Sequence, residues 1–139
     1  MNQTQNIALD SCVIIDIIEK PGVASNLKTR LRGKSIKIIL CDVVLDEVRR
    51  VRGYSPEKII TKISELIGRK IELSRSDKNS ISNATQITNQ FQICHRGDNE
   101  ILSLCQTTNF VLVTFDRMLL KACQFVGVAA FHPSMVGGI

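Results

Sequence analysis

Short apolar runs rich in β-branched residues alternate along this chain with segments of helical periodicity, and no other feature constrains its fold so tightly. The runs fall at residues 6–9, 36–41, 71–74, 110–115 and 127–131. Mostly apolar stretches of this length suit buried strands. Between them, Val13, Ile14, Ile17 and Ile18 recur at helical spacing in 12–19. Ile59, Ile60, Ile63, Leu66 and Ile67 form a longer stripe behind Ser55-Pro56, a capping residue followed by a first-turn proline. Further helices are predicted at 23–32 with a basic face, at 43–51 behind Asp42 as N-cap, from Gly97-Asp98 onward, and at 116–125. The polar stretch 76–93 carries Ile81, Ala84, Ile87 and Phe91 at a spacing that predicts a surface helix, and the tail after Pro133 is expected to be loose. Strand–helix alternation of this kind predicts a mostly parallel sheet of about five strands with helices on both faces. A length of 139 residues fits one domain over 1–139.

Four acids stand at the boundaries of these elements. Asp10 and Asp116 close apolar runs, in IALD and VLVTFD; Glu47 lies inside VVLDEVRR and Asp98 opens RGDNEIL's helix. Singly each has an ordinary explanation. Asp10, Asp98 and Asp116 are suited to N-caps, and Glu47 to an exposed helical position like its neighbour Asp46. Together they suggest more, because a parallel sheet collects ligands outside the carboxyl ends of its strands. Carboxylates gathered in one crevice repel one another unless a hard divalent cation neutralises them. The pattern points to a magnesium- or manganese-dependent phosphodiesterase.

Charge agrees with a phosphate substrate. The formal net charge is +5, with basic residues clustered in LKTRLRGKSIK and at Arg49, Arg50 and Arg52. Alone, such an excess equally describes a solvated basic face. One tyrosine and no tryptophan argue against single-strand recognition on stacking platforms. The five cysteines, Cys12, Cys41, Cys94, Cys105 and Cys123, include no C-x-x-C pair and are expected to be reduced and structural. No apolar run approaches the ~18 residues that span a bilayer, and MNQTQNIALD lacks the pattern of a secretory signal. A cytoplasmic protein with no membrane association is expected.

At this point the residues resemble a family. IALDSCVII is similar to the opening motif of PIN domains, an apolar strand, an aspartate, then serine or threonine. VVLDEVRR resembles their second motif, GDNEILSLC the third, and VLVTFDRMLLKA the fourth, a strand ending in Thr-x-Asp. The resemblance runs from Ile7 to Pro133 and implies a PIN-like three-layer α/β/α fold. It implies that Asp10, Glu47, Asp98 and Asp116 are the catalytic, metal-binding acids, with Ser11 and Thr114 as supporting hydroxyls. Two departures stand out. Arg117 and Met118 occupy the region where many relatives carry a further acid, and Glu100, two residues after Asp98, is placed to share or replace its role.

The activity so implied is cleavage of RNA by a Mg²⁺ or Mn²⁺ endoribonuclease. Its candidate RNA-binding residues are Lys28, Arg30, Arg32, Lys34, Arg49, Arg50 and Arg96; His95 reads more simply as a loop residue. A compact single PIN domain also resembles the toxin of a VapBC toxin–antitoxin pair. That implies a small antitoxin partner over the acidic groove and a homodimer. Two alternatives stay open: a housekeeping RNA-processing nuclease, and a non-catalytic RNA-binding module of the same fold. A phosphoacceptor receiver domain fits less well, because the third strand, IELS, ends in Ser74 without an aspartate.

Overall fold

A computed structural model of the chain describes residues 4–75 and 96–139, with side chains from residue 101 onward in the second stretch. Among these residues there are five strands, β1 (Gln5–Leu9), β2 (Ile36–Cys41), β3 (Ile71–Ser74), β4 (Val111–Val113) and β5 (Ala130–Phe131). All pair in parallel, in the order β3-β2-β1-β4-β5. The expected sheet was mostly parallel; the described one is entirely so. Chain order reverses between β1 and β4, so the crevice of the fold opens beyond their carboxyl ends.

Six helices connect and cover the described strands: α1 (Ser11–Glu19), α2 (Pro21–Arg30), α3 (Asp42–Arg52), α4 (Pro56–Ile67), α5 (Arg96–Thr108) and α6 (Arg117–Val126). Local chemistry sets their ends. Asp10 and Ser55 cap α1 and α4, and glycines with φ near +70° at Gly53 and Gly68 close α3 and α4. The core joins Ile7 and Leu9 of β1, Ile38 to Leu40 of β2, and the apolar stripes of the helices, all nearly inaccessible to solvent.

Several boundaries differ from those expected. Helix α2 begins at Pro21, a favourable first-turn position for proline, and ends at Arg30, before the turn that precedes β2. Cys41, not Asp42, is the N-cap of α3; Asp42 is its first residue and accepts from the backbone of Val43 at 2.8 Å. Strands β4 and β5 are shorter than their apolar runs, because only Val111–Val113 and Ala130–Phe131 find a neighbour in register. The tail is not loose. Residues Pro133–Gly138 form a 3₁₀ helix whose Val136 is fully buried. The surface helix expected at 76–93 lies outside the described residues.

Candidate active site

Asp10 is the first residue past β1 and is 4% exposed. Its backbone N–H donates to the carbonyl of Val113 at 3.0 Å, which ties it to the end of β4 across the switch point. One carboxylate oxygen, Oδ1, accepts from the backbone of Ser11 at 2.8 Å. The other, Oδ2, accepts from the hydroxyl of Thr114 at 2.6 Å. Thr114 follows β4 and is fully buried, so two adjacent strand ends meet in one hydrogen bond.

Glu47 enters from α3. The hydroxyl of Ser11 donates to its Oε1 at 2.9 Å, joining the start of α1 to the middle of α3. Burial pushes the Asp10 carboxyl above its ordinary range; the hydrogen bonds from Thr114 and Ser11 oppose this, and the Glu47 charge adds to it. Two carboxylates thus meet around Ser11, and among the described residues the groups that satisfy them are neutral: two hydroxyls, a backbone amide and the Cys12 thiol. The Thr114 hydroxyl also accepts from the backbone N–H of Asp116 at 3.0 Å. Asp116 in turn caps α6, with Oδ1 accepting from Met118 at 2.9 Å and Leu119 at 3.2 Å. Its ordinary explanation as an N-cap therefore holds, and it occupies one of the two oxygens.

Asp98 and Glu100 lie in the first turns of α5. That helix leads into the amino end of β4, so its own beginning points toward the carboxyl edge. Their side chains, that of Arg96, and His95 and Cys94 fall outside the described residues. Among the described residues, no group of three or more His, Cys, Asp or Glu side chains is placed to hold a metal ion. The donor chemistry nevertheless fits a hard divalent cation: Asp10 and Glu47 offer carboxylate oxygens, and the charge acting on buried Asp10 is another negative one.

Cys12 is a neighbour that sequence reasoning grouped with the structural cysteines. Its Sγ lies 3.6 Å from Asp10 Oδ2 and 3.9 Å from Thr114 Oγ1. Burial and the Asp10 charge push its thiol up to about 11, which keeps it a neutral donor. Its place one residue into α1, two after Asp10, was the available signal. The other described cysteines, Cys41, Cys105 and Cys123, are buried and form no disulfide with one another.

The basic candidates divide between two places. Lys34 stands two residues before β2, Arg32 lies in the turn just before it, and Lys28 approaches Gly68, three residues before β3. These positions lie around the amino edge of the sheet, about 20 Å along a six-residue strand from its carboxyl end. Arg30 and Lys34 donate to the carbonyls of Pro133 and Ile139 at 3.4 and 2.8 Å. Arg49 and Arg50 are exposed in the last turn of α3, beyond Glu47.

Comparison with known proteins completes the description. The family model of the PIN domain matches residues 7–124. Among solved structures, the chain is similar to VapBC2 from Rickettsia felis bound to a DNA fragment from their promoter, with 17% identity and a TM-score of 0.67 over 92% of this chain and 98% of that one. It is similar to VapBC-1 from nontypeable Haemophilus influenzae at 13% identity and a TM-score of 0.67, over 94% and 99% of the two chains. A toxin–antitoxin complex from Klebsiella pneumoniae gives 12% identity and a TM-score of 0.65, over 91% and 97%. No curated protein matches. At these identities the structural likeness is one of fold.

Proposed function

The chain belongs to the PIN-domain family, and on that premise we propose that it is a divalent-metal-dependent endoribonuclease, restrained in the cell by a small antitoxin. The observation that carries this reading is the meeting at the switch point of buried Asp10 and half-buried Glu47, held by Thr114 and Ser11. PIN domains are in general nucleases, and the solved structures most useful for comparison are toxin–antitoxin assemblies. No helix among the described residues is long and apolar enough to cross a membrane.

In this reading Asp10, Glu47, Asp98 and Asp116 hold Mg²⁺ or Mn²⁺, with Glu100 as a further candidate. A bound ion of this kind lowers the pKa of a coordinated water and neutralises charge on the phosphoryl oxygens during in-line attack. The chain's own contribution is placement. Thr114 fixes the Asp10 carboxylate and the Asp116 backbone with one hydroxyl, and Ser11 holds Glu47 at the switch point. Oriented carboxylates need little reorganisation when substrate arrives, which is where such sites gain rate.

Two measurements test the proposal. Purified protein should cleave RNA with Mg²⁺ or Mn²⁺ and stop when a chelator is in excess; undiminished cleavage in chelator refutes the mechanism. Expression without a partner should arrest growth, and Asp116→Asn, which keeps the helix cap while removing a charge, should abolish the arrest. Harmless expression of an RNA-cleaving protein would assign it to RNA processing instead.

A further inference from the structure

Helix α3 separates the acidic site from a hollow. Successive residues of a helix project about 100° apart, so one helix can serve two sites on neighbouring faces. Glu47 faces Ser11 and the end of β1. Asp42, Leu45 and Asp46, at i, i+3 and i+4, instead face the outer strand β3 and line a cavity of about 190 Å³. Leu40 and Leu73, paired in register across β2 and β3, supply more of its apolar lining, and Arg75 stands at its rim just past β3.

The composition of this hollow is unusual for an external edge. Leu73 is 56% exposed on the outermost strand, although Leu40 beside it is fully buried. Apolar surface therefore lies open beside the carboxylates of Asp42 and Asp46 and the guanidinium of Arg75. Among the described residues, no side-chain hydrogen bond or ion pair engages Asp46 or Arg75. The volume is below the roughly 300 Å³ at which pockets for drug-sized ligands begin, and it suits one flat ring system.

We propose that this hollow receives one base of the RNA strand, a guanine, adjacent to the nucleotide held at the acids; the assignment rests on the nuclease reading above. An ionised carboxylate only accepts hydrogen bonds. Guanine offers it two adjacent donors, N1–H and the N2 amino group. Adenine and cytosine place an acceptor beside their donor, and uracil sets its single N–H between two carbonyls, so each turns a lone pair toward Asp46. Arg75 complements the other side of guanine, whose O6 and N7 are the usual acceptors for arginine. The leucines cover the ring faces, in keeping with the way single-stranded RNA is read on splayed bases. Among the described residues, α3, about 10 Å across with its side chains, stands between the hollow and the acids, a spacing suited to a neighbouring nucleotide.

The test uses the four ribonucleoside monophosphates as probes, followed by NMR shifts of the Leu45 and Leu73 methyl groups in the whole chain. Guanosine monophosphate should bind about tenfold or more tightly than the other three, the discrimination expected from hydrogen bonds to a charged group. Asp46→Asn should erase that preference, and Leu73→Gln should weaken binding of all four. In parallel, cleavage of a randomised RNA pool should show guanine at one fixed offset from the cut. Asp46→Asn should remove the bias while total cleavage persists. Equal binding of the four probes, or an unchanged preference in Asp46→Asn, overturns the assignment. Saturation of the hollow by an arginine-containing peptide in place of nucleotide also overturns it and makes it a protein contact. Guanosine binding without any RNA cleavage would instead remove the nuclease reading and leave the pocket standing.

Discussion

The two ends of the sheet treat their charged residues in opposite ways. At the carboxyl edge, the Asp10 and Glu47 carboxylates are held by neutral hydroxyls and an amide. At the amino edge, cations are consumed by the fold. Arg69 donates to the carbonyls of Lys34 and Leu31 at 2.6 and 2.7 Å, and Lys34 reaches the carbonyl of Ile139. Among the described residues, the carboxyl end keeps its two carboxylates beside neutral donors, and the amino end spends positive charge on closing turns. Residues that look alike as charges in the sequence are thus sorted into chemistry and architecture by their position along the strands.

The largest expected effect comes from removing charge at the carboxyl edge. Asp10→Asn retains an oxygen for the Ser11 amide while discarding a ligand charge, so RNA cleavage should fall below detection with the fold intact. The stability change has a definite sign. The folded carboxyl titrates above its unfolded range because of burial, so its contribution to stability is present below about pH 4 and is lost as pH rises through the folded pKa. Asparagine escapes that loss. In metal-free protein, the melting temperature of Asp10→Asn relative to the natural chain should therefore be higher at neutral pH than in mild acid. Full cleavage by this variant would remove the contrast between the two ends.

Thr114→Val sharpens the comparison at smaller scale. Valine preserves the buried volume but leaves Asp10 Oδ2 and the Asp116 N–H without their shared partner. Each such loss costs about 1–3 kcal/mol. Cleavage should drop by about 10- to 100-fold and the melting temperature should fall, while Thr114→Ser, which keeps the hydroxyl, should recover most of both. If valine lowers stability but leaves kcat and metal affinity unchanged, Thr114 serves the fold alone.

The sequence made some of this arrangement legible and hid the rest for physical reasons. Strand β2, helix α4 and the N-caps Ser55 and Asp10 follow from local patterns, because a β-branched run and a Ser-Pro start depend on near neighbours. Strand-end placement and family motifs led to the expectation that Asp10, Glu47, Asp98 and Asp116 converge, with Ser11 and Thr114 as supporting hydroxyls. The described hydrogen bonds link Asp10, Ser11, Glu47 and Thr114, and spacing gives no hint of them, since Thr114 and Asp10 are 104 residues apart. The buried tail was missed because PSMVGGI carries few helix signals; Val136 is fixed by tertiary packing instead. Cys12 was hidden because a thiol beside a carboxylate leaves no mark in composition. The basic run at 27–37 was expected to hold RNA; it lies at the amino edge, where the carbonyls of Pro133 and Ile139 engage Arg30 and Lys34.

That relocation supplies the smallest and last prediction. Arg69 is half-buried and makes two short hydrogen bonds to the turn between α2 and β2. Arg69→Ala should cost roughly 1–3 kcal/mol of stability, the range for hydrogen bonds to a charged group, read as a lower midpoint in denaturant with an unchanged slope. Its effect on RNA should be small. The same holds for Lys28→Gln combined with Arg32→Gln: affinity for single-stranded RNA should keep its dependence on salt. Were those two residues phosphate contacts, the logarithmic salt slope would shrink by about 0.7 for each. A flattened slope would return the amino edge to the RNA path and erase the division of labour between the two ends; an unchanged slope leaves phosphate binding to residues nearer the acids.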